Sequence, residues 1–214
     1  MKRPSCRRIW PGVRVWLLAV LPGLALAQAT EPPRKALRVC QDPNNLPFSS
    51  EKSQGIENRI AEVFARKLNL PVTYYSYPQR FAFVRNTLRY KLPEQDYPCD
   101  IMMGVPVGFD QVSVTKPYYR STYALVIPQG IGLAQVQSPG DFVRLDAARL
   151  RKLRIGLFDK SPASDWVKAH DLVDQAVVYK MLDADPDQYP GQIIDTHLRK
   201  REIDVAVVWG PIAG

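Results

Sequence analysis

The chain has 214 residues, with 29 Lys and Arg against 21 Asp and Glu and a formal charge of +8. Five of the basic residues, Lys2, Arg3, Arg7, Arg8 and Arg14, lie in the first 27 positions, where nothing is acidic, so residues 28–214 carry only +3 from 24 basic and 21 acidic side chains. A mildly basic chain with no internal repeat and no low-complexity tract gives little footing to a nucleic-acid-binding or membrane-surface protein. The runs around Arg149, Arg151, Lys152 and Arg154, and Arg199 to Arg201, fit solvated helix ends better than a phosphate-binding stripe.

In chain order, the first element reads as a secretory signal over 1–27. The basic start is followed by an apolar stretch from Val15 to Leu26, broken by Pro22 and Gly23, and by the small-x-small site Ala25-Leu26-Ala27. The stretch is short for a bilayer span, so cleavage after Ala27 is predicted, with a periplasmic product and no stable membrane insertion. The alternative is an uncleaved anchor. A lipoprotein cysteine is absent after the site, and Cys6 would leave with the signal. Two cysteines then remain, Cys40 and Cys99. An even pair in an exported chain points to a disulfide, and two buried free thiols are the alternative.

Residues 28–36 form a linker containing Glu31-Pro32-Pro33-Arg34. A first unit, 37–122, opens on the strand Leu37 to Cys40 and the turn-rich loop Asp42-Pro43-Asn44-Asn45-Leu46-Pro47. After Gly55 the spacing predicts a helix with Ile60, Val63, Phe64 and Leu68 on its core face, ended by Asn69-Leu70-Pro71. A strand over 72–75 and a helix over 81–90, with Val84, Thr87 and Leu88 on one side, come next. Asp100 to Gly104 is a continuous apolar run of the kind found in buried parallel strands. Strand–helix alternation predicts a parallel, doubly wound sheet. Residues 123–128 form a crossover strand at the hinge. A second unit, 129–214, repeats the pattern: strand from Arg154 to Phe158, helix around Ser164 to Ala169, strand Ala176 to Met181, helix Gly191 to Arg201, strand Ile203 to Trp209.

This order resembles the type II periplasmic solute-binding proteins, a two-lobed α/β fold. The segments Asp42-Pro-Asn-Asn-Leu-Pro-Phe48 and Gly55-Ile-Glu-Asn-Arg-Ile-Ala61 look like that family's ligand loop and first helix. Asp100-Ile-Met-Met-Gly104 and Thr115-Lys-Pro-Tyr-Tyr-Arg-Ser121 look like its third strand and approach to the hinge. Three further segments resemble the methanol-dehydrogenase-associated (MxaJ/XoxJ) branch: Tyr77-Pro-Gln-Arg-Phe-Ala-Phe-Val-Arg-Asn-Thr-Leu88, Pro98-Cys-Asp-Ile-Met-Met-Gly-Val-Pro106 and Glu202-Ile-Asp-Val-Ala-Val-Val-Trp-Gly-Pro211. The resemblance implies that the chain returns to complete lobe one, a segment not seen after Trp209, so the sequence is expected to be truncated and 28–214 alone to be aggregation-prone.

Amino-acid-binding members hold the ligand carboxylate with an arginine after the third strand and the amine with an aspartate after the last strand of lobe two. The corresponding positions here are Val105 to Asp110, with Gly108 and no arginine, and Trp209-Gly210-Pro211. A zwitterion needs both charges compensated, so free amino acids are not expected to bind.

Loops at the carboxyl ends of the strands line the crevice in such folds. The expected cleft residues are Asp42, Asn44, Asn45, Gly104, Pro106, Gly108, Tyr118, Tyr119, Arg120 and Trp209. Asn44 and Asn45 either hydrogen-bond a ligand or build an Asx turn, and Trp209 is either a binding platform or hinge packing. Arg80 and Arg85 read as surface residues. Asp159-Lys160-Ser161-Pro162 reads as a capped turn rather than an anion site. Asp183, Asp185 and Asp187 fail the calcium-loop pattern, because its sixth and twelfth places hold Gln188 and Ile194. His170 and His197 lack zinc-ligand neighbours, and no nucleophile elbow is present. No metal, cofactor or catalytic residue is expected, and the chain reads as a binding protein and not an enzyme. Two functions follow from the resemblance: an accessory protein that binds a quinoprotein dehydrogenase or a small ligand and assists the enzyme's maturation or activation, or a receptor delivering a small polar ligand, other than an amino acid, to an ABC permease.

Overall fold

A computed structural model describes residues 33–79, 82–181, 185 and 187–214. The signal segment, most of the linker, Arg80, Phe81 and Asp183 lie outside the described residues. Strand β1 (Leu37–Gln41) turns alternate side chains to opposite faces of its sheet. Leu37 and Val39 meet one layer, and Cys40 meets the other. The loop after it carries a two-residue hairpin of β2 (Asn44–Asn45) and β3 (Ser49–Ser50), paired antiparallel. Helix α1 (Ile56–Leu68) follows, and Asn69 ends it in the left-handed conformation with its N–H on Ala65 O and Arg66 O. Strand β4 (Val72–Ser76), the one-turn helix α2 (Phe83–Asn86) and the two-residue strand β5 (Ile101–Met102) complete the first lobe. Its parallel sheet has the order β4-β1-β5, with Val39 opposite Tyr74 and Ile101.

Three expectations are corrected in this lobe. The core face of α1 consists of Ala61 and Ala65 with Asn58, while Val63, Phe64 and Leu68 are 42%, 37% and 57% exposed. Small side chains let the helix backbone lie close over Leu37 and Val39, which turns the bulky apolar residues away from the sheet. The third strand is half-buried rather than buried, because β5 is an edge of the sheet and only two of its residues pair. The second helix is a single turn. Its side chains Phe83, Val84 and Thr87 are nevertheless buried, and Phe83 packs on the Cys40–Cys99 disulfide. The two cysteines have Cα atoms 5.3 Å apart and join the end of β1 to the segment before β5.

Asn58 is the polar anchor of the first lobe. It is fully buried, its Oδ1 accepts the N–H groups of Ser50 (3.2 Å) and Gly55 (3.1 Å), and its Nδ2 donates to Gln41 Oε1 at 2.7 Å. Gly55 has no room for a side chain, since a Cβ there would sit 2.0 Å from the Phe48 carbonyl oxygen. Arg38 closes the other end of the sheet with a two-pronged contact to Asp100, at 2.9 and 2.6 Å.

The second lobe begins with β6 (Tyr123–Val126), which runs antiparallel to the last strand. Two short helices follow, α3 (Pro139–Val143) and α4 (Ala147–Leu150). Then come β7 (Ile155–Phe158), α5 (Pro162–Ala169), β8 (Ala176–Tyr179), a π-helical turn Ile193–Leu198, β9 (Val205–Trp209) and the short α6 (Gly210–Ala213). The sheet order is β6-β9-β7-β8, parallel except for β6. The sequence reading passed over α3 and α4, although both carry caps: Ser138 Oγ accepts from Asp141 N, and the Asp146 carboxylate accepts from Arg149 N. One face of the sheet packs Ile155, Leu157, Val205 and Val207 against α5 and Phe142; the other packs Ala206 and Val208 against Ile193, Leu198 and Ile212. Phe48 from the first lobe belongs to this second layer, and Gly191 N donates to Leu46 O at 2.9 Å. These contacts bring the loop after β1 against the second lobe and set the walls of a cleft.

Candidate functional site

Three neighbouring cavities occupy the cleft. An outer polar cavity of ≈120 Å³ lies between Asp42, Asn44, Asn45 and Gln79 on one side and Tyr179, Lys180 and His197 on the other. A larger one of ≈440 Å³ is walled by Gly104, Pro106, Lys116, Tyr118, Tyr119 and Trp209. A third of ≈340 Å³ is bounded by Phe48, Glu57, Met103, Gly104 and Trp209. The last two share Gly104, Pro106, Met181 and Trp209, so they form one inner cleft.

The structure brings eight of the expected cleft residues to these cavities: Asp42, Asn44 and Asn45 to the outer one, and Gly104, Pro106, Tyr118, Tyr119 and Trp209 to the inner one. Gly108 and Arg120 are exposed and line none of the three. Arg85 is likewise exposed. Asp42 shapes its loop: its carboxylate accepts the Asn44 N–H at 2.8 Å in an Asx turn, and also the Gln79 N–H. Asn45 Nδ2 donates to Gln79 Oε1 at 3.0 Å. At the second lobe, the Ser161 hydroxyl donates to Phe158 O, which closes the turn before α5.

A row of aromatic rings runs through the inner cleft. Trp209 stacks between Phe48 (5.5 Å between centroids) and Tyr119 (5.8 Å), Tyr119 leans on Tyr118 (5.2 Å), and Tyr118 meets the edge of Phe64 (5.9 Å). Trp209 therefore packs at the junction of the lobes and also lines the cavity. The Tyr118 hydroxyl accepts the Gly104 N–H at 2.9 Å. The Tyr119 hydroxyl is buried and has no hydrogen-bond partner among the described residues.

The sequence reading missed Glu57. It stands in the first turn of α1, where an acidic residue has an ordinary explanation in the helix dipole. Its carboxyl lies against the Cα of Gly104, where a Cβ would be 2.0 Å from Oε1. Gly104 also has a φ of +71°, so both backbone and space require glycine. Burial pushes the Glu57 carboxyl up to about 7. Burial raises the Tyr119 hydroxyl too, with the nearby Glu57 charge adding to it. Tyr118 is raised for the same reasons, while its bond from Gly104 N opposes the shift. Among the described residues no cluster of three potential metal ligands occurs, and no helix is long and apolar enough to cross a membrane.

Two α/β lobes, each with a mainly parallel sheet, facing one another across a ligand-sized cleft define a periplasmic binding protein of the type II fold. No family model matches the chain. Its structure is similar to that of the periplasmic binding protein XoxJ from Methylobacterium extorquens AM1, at 36% identity and a TM-score of 0.61, over 84% of this chain and 70% of that one. The chain belongs to the MxaJ/XoxJ type of periplasmic binding proteins. MxaJ from Methlophaga aminisulfidivorans MPT has the same fold at 22% identity, with a TM-score of 0.61 over 83% of this chain and 71% of that one. Protein MoxJ of Paracoccus denitrificans is 35% identical over 107 residues, 50% of this chain; the match spans only 37% of that relative's length.

Proposed function

We propose that the chain is a periplasmic accessory protein of a quinoprotein alcohol dehydrogenase of the methanol-oxidising kind. It binds the enzyme, or a small ligand in its cleft, and assists maturation or activation of that enzyme; it catalyses nothing itself. The observation that carries this reading is the 36% identity to XoxJ extending across both lobes. The cleft supports it: no arginine lines the three cavities among the described residues, so the two-pronged guanidinium contact that holds a nutrient amino acid's carboxylate is not built there. The proposed route to the periplasm is export by residues 1–27, with cleavage after Ala27.

Affinity capture with the tagged protein in the periplasm of its own organism tests the proposal. The expected result is co-purification of a quinoprotein dehydrogenase, together with loss of that enzyme's activity in a strain lacking this protein. Normal dehydrogenase activity in that strain, with uptake of a small solute abolished instead, would establish the importer receptor and overturn the accessory role.

A further inference from the structure

The inner cleft holds a carboxyl group with no cation or hydrogen-bond donor against it among the described residues. Glu57 lines the ≈340 Å³ cavity, its carboxyl lies against Gly104 where a side chain would otherwise stand, and the cavity is also walled by Phe48, Met103 and Trp209. An ionised carboxylate in such surroundings is costly unless a partner compensates it. The carboxyl keeps its proton up to about pH 7, and a group that stabilises its ionised form would come from outside the chain and be positive. A hard metal ion is a poor fit, since magnesium and calcium take six or more oxygen ligands and Glu57 is the only carboxylate bounding the inner cleft among the described residues. An anion is a worse fit, because the inner cavity's sole described cation, Lys116, is exposed in the adjoining part.

We propose that the inner cleft binds an alkylammonium group, with the Glu57 carboxylate as its counter-ion and the Phe48, Met103 and Trp209 side chains as the apolar wall for its carbon chain. Tyr119, which walls the adjoining ≈440 Å³ part of the inner cleft and whose buried hydroxyl has no partner among the described residues, is the second polar point. Gly104 is the residue that lets the carboxyl stand free, because any side chain there would occupy its place. The group belongs either to a free small amine or to a lysine side chain of a partner. Its recognition rests on the binding-protein reading of the cleft and not on the dehydrogenase, so it and the capture experiment fail independently.

Calorimetry on the purified protein provides the test, with n-butylammonium, neutral n-butanol and Nα-acetyl-lysine amide as probes. Butylammonium is expected to bind at least about tenfold more tightly than butanol, and Glu57→Gln to remove that preference, as for a charge-assisted contact. The probe stays protonated from about pH 6 to about pH 8, so its affinity should rise over that interval as Glu57 ionises. Glu57→Gln should abolish the rise. The other titratable groups facing Glu57, Tyr118 and Tyr119, are raised by burial and stay neutral throughout. Tyr119→Phe, which keeps the ring, provides a second variant and should weaken butylammonium binding a few-fold. Binding of the lysine amide as tight as that of butylammonium assigns the group to a partner's lysine; strong preference for butylammonium assigns it to a free amine. Equal affinity for butylammonium and butanol, no butylammonium binding at about 10 mM, or an unchanged affinity in a cooperatively folded Glu57→Gln protein overturns the proposal.

Discussion

Glu57→Gln is expected to stabilise the protein at alkaline pH while leaving it almost unchanged at acid pH. Burial raises the Glu57 carboxyl from 4.5, its ordinary value, to about 7 in the fold. Below about pH 4.5 the folded and unfolded chains both keep the proton, and stability is fully present. Between 4.5 and about 7 the unfolded chain ionises while the fold retains its proton, so stability falls as pH rises. Above about 7 the loss is complete, and at about 1.4 kcal/mol per pH unit it amounts to roughly 3 kcal/mol. Glutamine is neutral throughout and removes this contribution. The lowered carboxylates, Asp96, Asp141, Glu202 and Asp204, slope the other way but are common to both proteins and cancel in the difference. Urea titrations of both proteins, followed by tryptophan fluorescence at steps from about pH 5 to about pH 8, measure that difference directly. A stability difference that stays constant across the series would show that Glu57 is not held in a desolvated site, and would refute the reasoning.

Replacing Cys40 and Cys99 by serine opens a loop of 59-residue separation and should cost about 4 kcal/mol, read as a lower urea midpoint. Asn58→Leu removes the three bonds to Ser50, Gly55 and Gln41 and leaves their polar groups buried; a loss of about 2–4 kcal/mol is expected by the same assay. Gly104→Ala must adopt a positive φ and displace the Glu57 carboxyl, so it should lose about 1–2 kcal/mol of stability and also the butylammonium affinity. Free α-amino acids should show no micromolar binding by calorimetry, because Glu57 repels their carboxylate and the one cation lining the inner cleft among the described residues, Lys116, is exposed to water.

Much of the framework was legible because its signals are local. The alternation in Leu37 to Cys40, the stop at Asn69-Leu70-Pro71 and the apolar run from Val205 to Trp209 each report what a few neighbouring residues can do. They place β1, the end of α1 and β9 within a residue or two. The family resemblance rested on such segments, and an even pair of cysteines pointed to the Cys40–Cys99 bond, which the packing of β1 beside β5 decided against two free thiols. Helix α1 shows where this kind of reading ends. Both of its faces carry apolar residues, and periodicity favours the larger ones, yet the sheet accepts Ala61 and Ala65 because only small side chains permit the close approach. The cleft was legible as a set of loops at strand ends, and its chemistry was not. Glu57, Gly104 and Tyr118 are far apart in the chain, and each has an ordinary local role as helix-start acid, turn glycine and loop aromatic. Their meeting follows from the crossing of α1, β5 and the segment before β6. Burial of the Glu57 carboxyl is a property of that meeting, since desolvation depends on every atom that excludes water and not on the neighbours in sequence.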